Sequence, residues 1–262
     1  MNILLSNDDG ISSAGLAALH KSFTQHGHNV MAVAPMRQQS GVSHAITVFE
    51  PLRVQEYERD GLSGIGVFGT PADCVKLGLA DLAPWTPDLV LAGINLGRNV
   101  GPDVFYSGTI GAAAEGAHSG IPSMAFSHAN WQASANELMP CAEYAVKLAE
   151  TIDWNGIAAG RVINVNFPNL PFAASRGARL CRQAPAVWKN AYARRNDPRG
   201  WPYWWMEGET EKDTIPSSSD MALLEQGFVT ITPLKFEHTD IEALAALASM
   251  AGMAGMGLEL DN

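Results

Sequence analysis

The chain has 262 residues, 47% of them hydrophobic and 17% charged, which excludes a disordered polymer and suits one large α/β domain. Asp+Glu 27 against Lys+Arg 17 leaves a net charge of −10, so the chain repels phosphate polymers and no nucleic-acid polymer is expected as a partner. Three widely spaced cysteines (Cys74, Cys141, Cys181) form neither a disulfide framework nor a zinc set. They read as reduced thiols in a cytoplasmic protein. The N-terminus reaches two acids by Asp9 without a basic segment, unlike a signal peptide. No apolar run approaches the ~18 residues of a membrane span.

In chain order, Ile3-Leu4-Leu5 is a short apolar run that stops at Ser6-Asn7-Asp8-Asp9-Gly10. That pattern suits a strand buried on both faces. Leu16, Leu19, His20 and Phe23 then repeat at helical spacing behind a cap at Ser12 or Ser13, and Gly27 stops the helix. Val30–Ala34 is a second buried strand, so residues 3–34 form a βαβ unit with a parallel sheet. Ile46–Val48, Leu52–Val54 and Ile65–Phe68 are short β-like pieces. Thr70-Pro71 opens a helix with a cap and a proline at its first position. Asp88–Ala92 is a third strand ending at Gly93, followed by a Gly- and Asn-rich loop over 93–108 and a small-residue helix from about Thr109 to His118. A strand over 123–126, a helix over 134–152 and a last core strand over 162–167 complete an α/β core of about residues 1–170, three-layered and mostly parallel. The C-terminal extension, about 171–262, concentrates basic and aromatic residues over 176–205, with a strand at Phe228–Ile231 and a helix over 240–250. The Trp201–Trp205 segment reads as packing or subunit interface rather than as a base-stacking platform. The Gly- and Met-rich end after Met250 is expected to fray.

Ligands of open parallel sheets bind beyond the carboxyl ends of the strands. The first strand delivers Asn7-Asp8-Asp9-Gly10, the second Arg37–Gly41, and the strand ending at Ala92 delivers Gly93–Asn99, so three polar clusters gather on one edge. Adjacent carboxylates repel, and a bound divalent cation relieves the repulsion. Asp8, Asp9, Ser40 and Asn95 make an all-oxygen set suited to Mg²⁺, Mn²⁺ or Ca²⁺ rather than zinc. Tyr106–Gly111 opens a helix after a Gly-rich loop, and the free N–H groups at such a start favour phosphate. No P-loop and no Gly-x-Gly-x-x-Gly follows the first strand. Ser43 is expected to line the same loop as Ser40, and nearby His44 is a candidate acid or base.

Taken together the motifs resemble the SurE family of stationary-phase survival proteins, which act as metal-dependent nucleoside monophosphate phosphatases. The residues that carry the resemblance are Ile3–Gly10, Val33-Ala34-Pro35 leading to Ser40-Gly41, and Gly69–Val75. Gly93-Ile94-Asn95 with Gly97 and Asn99, Tyr106–Thr109, and Gly227–Leu234 complete it. The resemblance spans about residues 1–235. It implies a Rossmann-like core in a single SurE-like domain, an extension that exchanges elements between subunits, and a homodimer or homotetramer. It also implies one divalent metal per subunit on Asp8, Asp9, Ser40 and Asn95, and phosphate held near Asn99 and the Ser107-Gly108-Thr109 turn. Family members hydrolyse 5′- and 3′-nucleoside monophosphates, and some cut short polyphosphate. Three departures stand out: Ser13-Ala14-Gly15 replaces the usual Ala-Pro-Gly, Ser218-Ser219-Asp220 replaces Gly-Thr-Asp, and residues 200–206 are richer in Trp than the family pattern.

The expected reaction is phosphomonoester hydrolysis, with Asp8 and Asp9 as metal ligands and one of them also orienting water or protonating the leaving oxygen. An aspartyl-phosphate mechanism usually needs a second acid two residues on, where Gly10 stands. The rival from another class is a non-catalytic nucleotide-sensing or receiver-like module. A receiver needs an Asp after its third strand, where this chain offers Asn95.

Overall fold

The computed structural model describes residues 1–157, 159–186, 188–210 and 215–250. Nine strands form one sheet in the order β3-β4-β2-β1-β5-β6-β7-β11-β8. The core strands are β1 (Asn2–Ser6), β2 (Asn29–Pro35), β4 (Leu62–Val67), β5 (Leu89–Leu96), β6 (Ser123–His128) and β7 (Arg161–Phe167), all parallel. Their side chains alternate between two cores. Ile3, Leu5, Leu89 and Leu91 face α1 (Ala14–Gln25) and α4 (Ala135–Thr151), while Leu4, Val90 and Ala92 face α2 (Pro71–Leu77) and α3 (Gly108–His118). Continuous apolar runs at β1 and β5 follow from this burial on both faces. The result is a three-layer α/β fold.

Local chemistry places the helices. The Ser13 hydroxyl accepts from the Leu16 N–H at the start of α1. Thr70 and Asp73 close a reciprocal capping box ahead of α2. Gly15 lies so close to β5 that a Cβ there would sit 1.9 Å from the Ile94 carbonyl oxygen. The replacement of Ala-Pro-Gly by Ser13-Ala14-Gly15 therefore keeps the one residue the helix–sheet contact requires.

Three expectations are corrected. Ile46–Val48 is not a strand: the Thr47 N–H and hydroxyl are taken by the Asp73 carboxylate, at 2.8 and 2.6 Å, instead of by a neighbouring strand. The Leu52–Val54 piece begins its strand only at Val54, as β3 (Val54–Arg59), which turns back into β4 through Asp60-Gly61. Both turn residues have positive φ, 54° and 81°, the geometry of a two-residue hairpin with an Asp-Gly signature. Finally, β5 does not end at Gly93 but runs to Leu96, with a register shift between Ala92 and Asn95 that re-aims Asn95.

The sheet also does not end at β7. Strand β11 (Val229–Lys235) pairs antiparallel with β7, and β8 (Ala178–Leu180) pairs parallel with β11. Val229 and Ile231 are buried in the same core as Ile3 and Leu5. Part of the expected extension is thus central structure. The segment rich in Trp forms a separate hairpin, β9 (Trp188–Asn196) with β10 (Pro202–Thr210). Trp201, Trp204 and Trp205 are exposed on it. Short helices α5 (Asp220–Glu225) and α6 (Ile241–Ser249) follow. The run after Met250 that was expected to fray lies outside the described residues. Among the described residues, no helix is long and apolar enough to cross a membrane.

Candidate active site

Chain order runs outward from β1 to β2 and β4, then returns to the other side of β1 at β5. The carboxyl ends of β1 and β5 therefore flank the topological switch point, where open α/β sheets bind ligands. Asp8 and Asp9 follow β1 there, and Asn95 lies near the end of β5. The turn after β1 is built by Asn7. Its side chain donates to the Gly10 carbonyl (3.0 Å) and the Ser13 hydroxyl (2.6 Å) and accepts the Gly10 N–H (3.1 Å). The loop after β2 is tied to it, since the Gln39 N–H donates to the Asp8 carbonyl at 2.7 Å.

The four oxygen-bearing residues are brought together. Gln38 donates through one amide nitrogen to Asp9 Oδ1 (3.3 Å) and to Ser40 Oγ (2.9 Å). Asp9 Oδ2 accepts the Leu96 N–H at 3.1 Å, next to Asn95. Asp8, Ser40 and Asn95 line one cavity of about 860 Å³. Asp8 is almost fully buried and accepts a short hydrogen bond from the Thr109 hydroxyl. Burial, aided by the charge of Asp9, pushes its carboxyl up to about 6 against the opposing pull of Thr109. Burial raises Asp9 as well, against donors at Leu96 and Gln38. Among the described residues, no cationic side chain acts on either carboxylate. Two adjacent, partly desolvated carboxylates with hydroxyl and amide oxygens beside them fit a hard divalent cation.

The expected phosphate residues divide. Ser107 caps α3, accepting the Ile110 N–H at 3.1 Å, and lines the cavity. Gly108 packs directly on Asp8: a Cβ there would meet Asp8 Cβ at 2.8 Å and Oδ2 at 3.1 Å, so the carboxylate would have to shift. Thr109 is fully buried and serves Asp8. Asn99 lines the cavity, but its amide nitrogen and its backbone face inward. Its side chain donates to Ser127 Oγ (2.9 Å), its N–H to Asn166 Oδ1 (2.7 Å), and its carbonyl accepts from Asn164 and Asn166. Asn95, Ser127 and Asn166 are register neighbours across β5, β6 and β7, so these strand ends form one polar row beneath the loop.

Ser43 lies apart from the carboxylates. Its hydroxyl donates to the Phe105 carbonyl (2.6 Å), and it lines a different cavity, with His44. His44 pairs with buried Glu115 at 3.0 Å, which also binds Lys76 at 2.8 Å. It is therefore a structural partner of α3 rather than an acid or base beside Asp8. Sequence reasoning missed Arg98, held 3.5 Å from Asp103 and 3.7 Å from Glu225, as well as Trp131 and Tyr106; all three line the Asp8 cavity. Arg98 belonged to a polar cluster already noted. For Trp131, after β6, no local pattern marked a site.

The family model described as survival protein SurE matches residues 3–190. The 5′-nucleotidase SurE of Desulfovibrio desulfuricans is 52% identical over 93% of this chain and 96% of its own length. That of Nitratidesulfovibrio vulgaris is 47% identical over 93% and 90%. In the solved structures, the SurE protein of Aquifex aeolicus superposes with a TM-score of 0.80 at 35% identity, covering 94% of this chain and 98% of that one. With a family model over most of the chain and a fold that superposes on a family member, the chain belongs to the SurE family.

Proposed function

We propose that this protein is a 5′-nucleotidase: a divalent-metal-dependent phosphomonoesterase that converts nucleoside monophosphates to nucleoside and phosphate. The observation that carries the reading is the desolvated pair Asp8–Asp9 at the switch point, which no described cationic side chain pairs with, beside the N-terminus of α3. The relatives named 5′-nucleotidase SurE support the substrate class. Asp8, Asp9, Ser40 and Asn95 would hold one Mg²⁺ or Mn²⁺. Such a cation neutralises phosphate oxygens and lowers the pKa of a bound water.

The chain's own residues do the rest. Ser107 and the N–H of Gly108, at the first helical position where a helix leaves N–H groups without internal partners, face the phosphoryl charge. Thr109 acts through Asp8, keeping its carboxylate ionised and oriented. Asn99, locked to Ser127 and Asn166, fixes the backbone of the loop that closes this side of the cavity. Hydrolysis of 3′-nucleotides and of short polyphosphate belongs to the same reading, as does a homodimer or homotetramer. The exposed Trp201, just ahead of β10, and Trp204 and Trp205 on it support self-association.

The test is phosphate release from 5′-AMP and 3′-AMP, first with EDTA and then with Mn²⁺ or Mg²⁺ added back. Metal should restore release, and Asp8→Asn and Asp9→Asn should each lower it by on the order of 100-fold or more while the fold persists. Turnover like the wild type in both variants would overturn the assignment.

A further inference from the structure

The cavity that holds Asp8 has an aromatic part that the phosphate chemistry leaves unused. Trp131 and Tyr106 line it and are 72% and 66% exposed. Large exposed rings in a concave site, beside a charged centre, are what a flat and partly apolar ligand needs. Trp131 is also held in place. Its six-membered ring rests on Gly97, where a Cβ would come within 2.8 Å of Cη2 and Cζ3. The Gly97 N–H donates to the His128 carbonyl at 2.9 Å, joining the loop of Arg98 and Asn99 to the end of β6. The turn that presents Trp131 is closed by the Asn130 N–H on His128 Nδ1 (3.1 Å) and the Gln132 N–H on Asn130 Oδ1 (3.0 Å). An indole fixed along one edge and left open over its surface is a preformed stacking platform, with little ordering entropy left to lose on binding.

We propose that Trp131 is the base-stacking residue of this site, a specificity-determining group that selects nucleotides over phosphomonoesters lacking a base. The proposal rests on the nucleotidase reading and adds to it the means of recognition. The volume, about 860 Å³, lies in the range of pockets that bury whole small-molecule ligands. Stacking reads the surface of a base rather than its edge, so purines should bind better than pyrimidines without strict base identity.

The experiment compares 5′-AMP with ribose 5-phosphate, which keeps the ester and the sugar but lacks the base, using the Mn²⁺-supplemented full-length protein. The wild type should show a KM for 5′-AMP about tenfold lower than for ribose 5-phosphate. Trp131→Ala should raise the 5′-AMP value roughly tenfold with kcat within about threefold, bringing the two substrates together. Trp131→Phe should keep most of the preference. A wild type without preference, or Trp131→Ala retaining it, overturns the proposal, as does a change in oligomeric state with KM unmoved. If neither ester is cut, the nucleotidase reading fails, and adenosine binding by calorimetry decides this inference on its own. Binding weakened in Trp131→Ala supports it; equal or absent binding overturns it.

Discussion

The hydroxyl of Thr109 donates to the buried carboxylate of Asp8 across 101 positions of sequence, joining the start of α3 to the end of β1. A donor of this kind favours the ionised carboxyl and opposes the burial that pushes Asp8 to about 6. Thr109→Val removes the donor at nearly constant shape and so raises the carboxyl further. At pH 6 a larger share of Asp8 is then protonated and competes with metal, whereas at pH 8 it is ionised in both proteins. Calorimetry should therefore show Mn²⁺ affinity falling roughly tenfold at pH 6 and much less at pH 8, with Thr109→Ser close to the wild type.

Gly108 separates stability from activity. It stands at the first position of α3, where alanine is the better helix former by up to about 1 kcal/mol. A Cβ there would nevertheless press on Asp8 at 2.8 Å. Gly108→Ala should leave Tm within a few degrees of the wild type and lower kcat/KM about tenfold or more, because a small displacement of a positioned group is costly in rate. Thermal melts beside nucleotide kinetics make the comparison. A variant with full activity would show that Asp8 need not sit where the structure has it.

Glu115 gives a pH signature away from the carboxylate pair. Its side chain is almost fully buried, and hydrogen bonds from Lys76 and His44 outweigh that burial and hold its carboxyl below the usual range. A depressed carboxyl stabilises the fold above the unfolded pKa of about 4.3, and that contribution is lost as pH falls through the folded value. Glu115→Gln should cost about 1 kcal/mol at pH 7, since Lys76 is well solvated, and should flatten the decline of Tm between pH 5 and 3. Parallel slopes in the two proteins would refute the assignment.

Asp220 tests whether the C-terminal segment supports the site. This fully buried carboxylate accepts the N–H groups of Gly101 (2.9 Å), Ala184 (2.8 Å) and Met221 (2.8 Å). It thereby pins the loop just after Asn99. Asp220→Ala leaves buried donors without partners, at about 2–4 kcal/mol. For a chain of this size that is a fall in Tm of about 5–12 °C. The nucleotide KM should rise as the loop loosens. The substitution of Gly-Thr-Asp by Ser218-Ser219-Asp220 retains this acid, and Ser219 still caps α5.

Much of this arrangement is legible locally. Runs such as Ile3-Leu4-Leu5 announce strands because both faces are buried, and Ser13, Thr70 and Ser107 announce helix starts because the first N–H groups of a helix need acceptors. A parallel sheet places successive strand ends on one edge, so Asp8, Ser40 and Asn95 could be assembled before any coordinates. The Asp60-Gly61 hairpin signal is equally local, and the register it sets, Val54 opposite Val67, starts β3 at Val54 and not at Leu52.

The rest depends on contacts that no window of sequence contains. Strand β11 joins β7 from more than 60 positions away, and its short run looks the same whether it is an outlying piece or part of the core. Asn99 reads as an open polar residue, yet packing turns its amide nitrogen onto Ser127 and its backbone N–H onto Asn166. Thr109 reads as a helix-start hydroxyl free for phosphate, yet the approach of α3 to β1 commits it to Asp8. Spacing along the chain determines which groups reach the carboxyl edge of the sheet. Only the packing of helix against strand decides whether each group, once there, meets solvent, a ligand or another side chain, because that depends on distances between elements rather than on the order in which they occur.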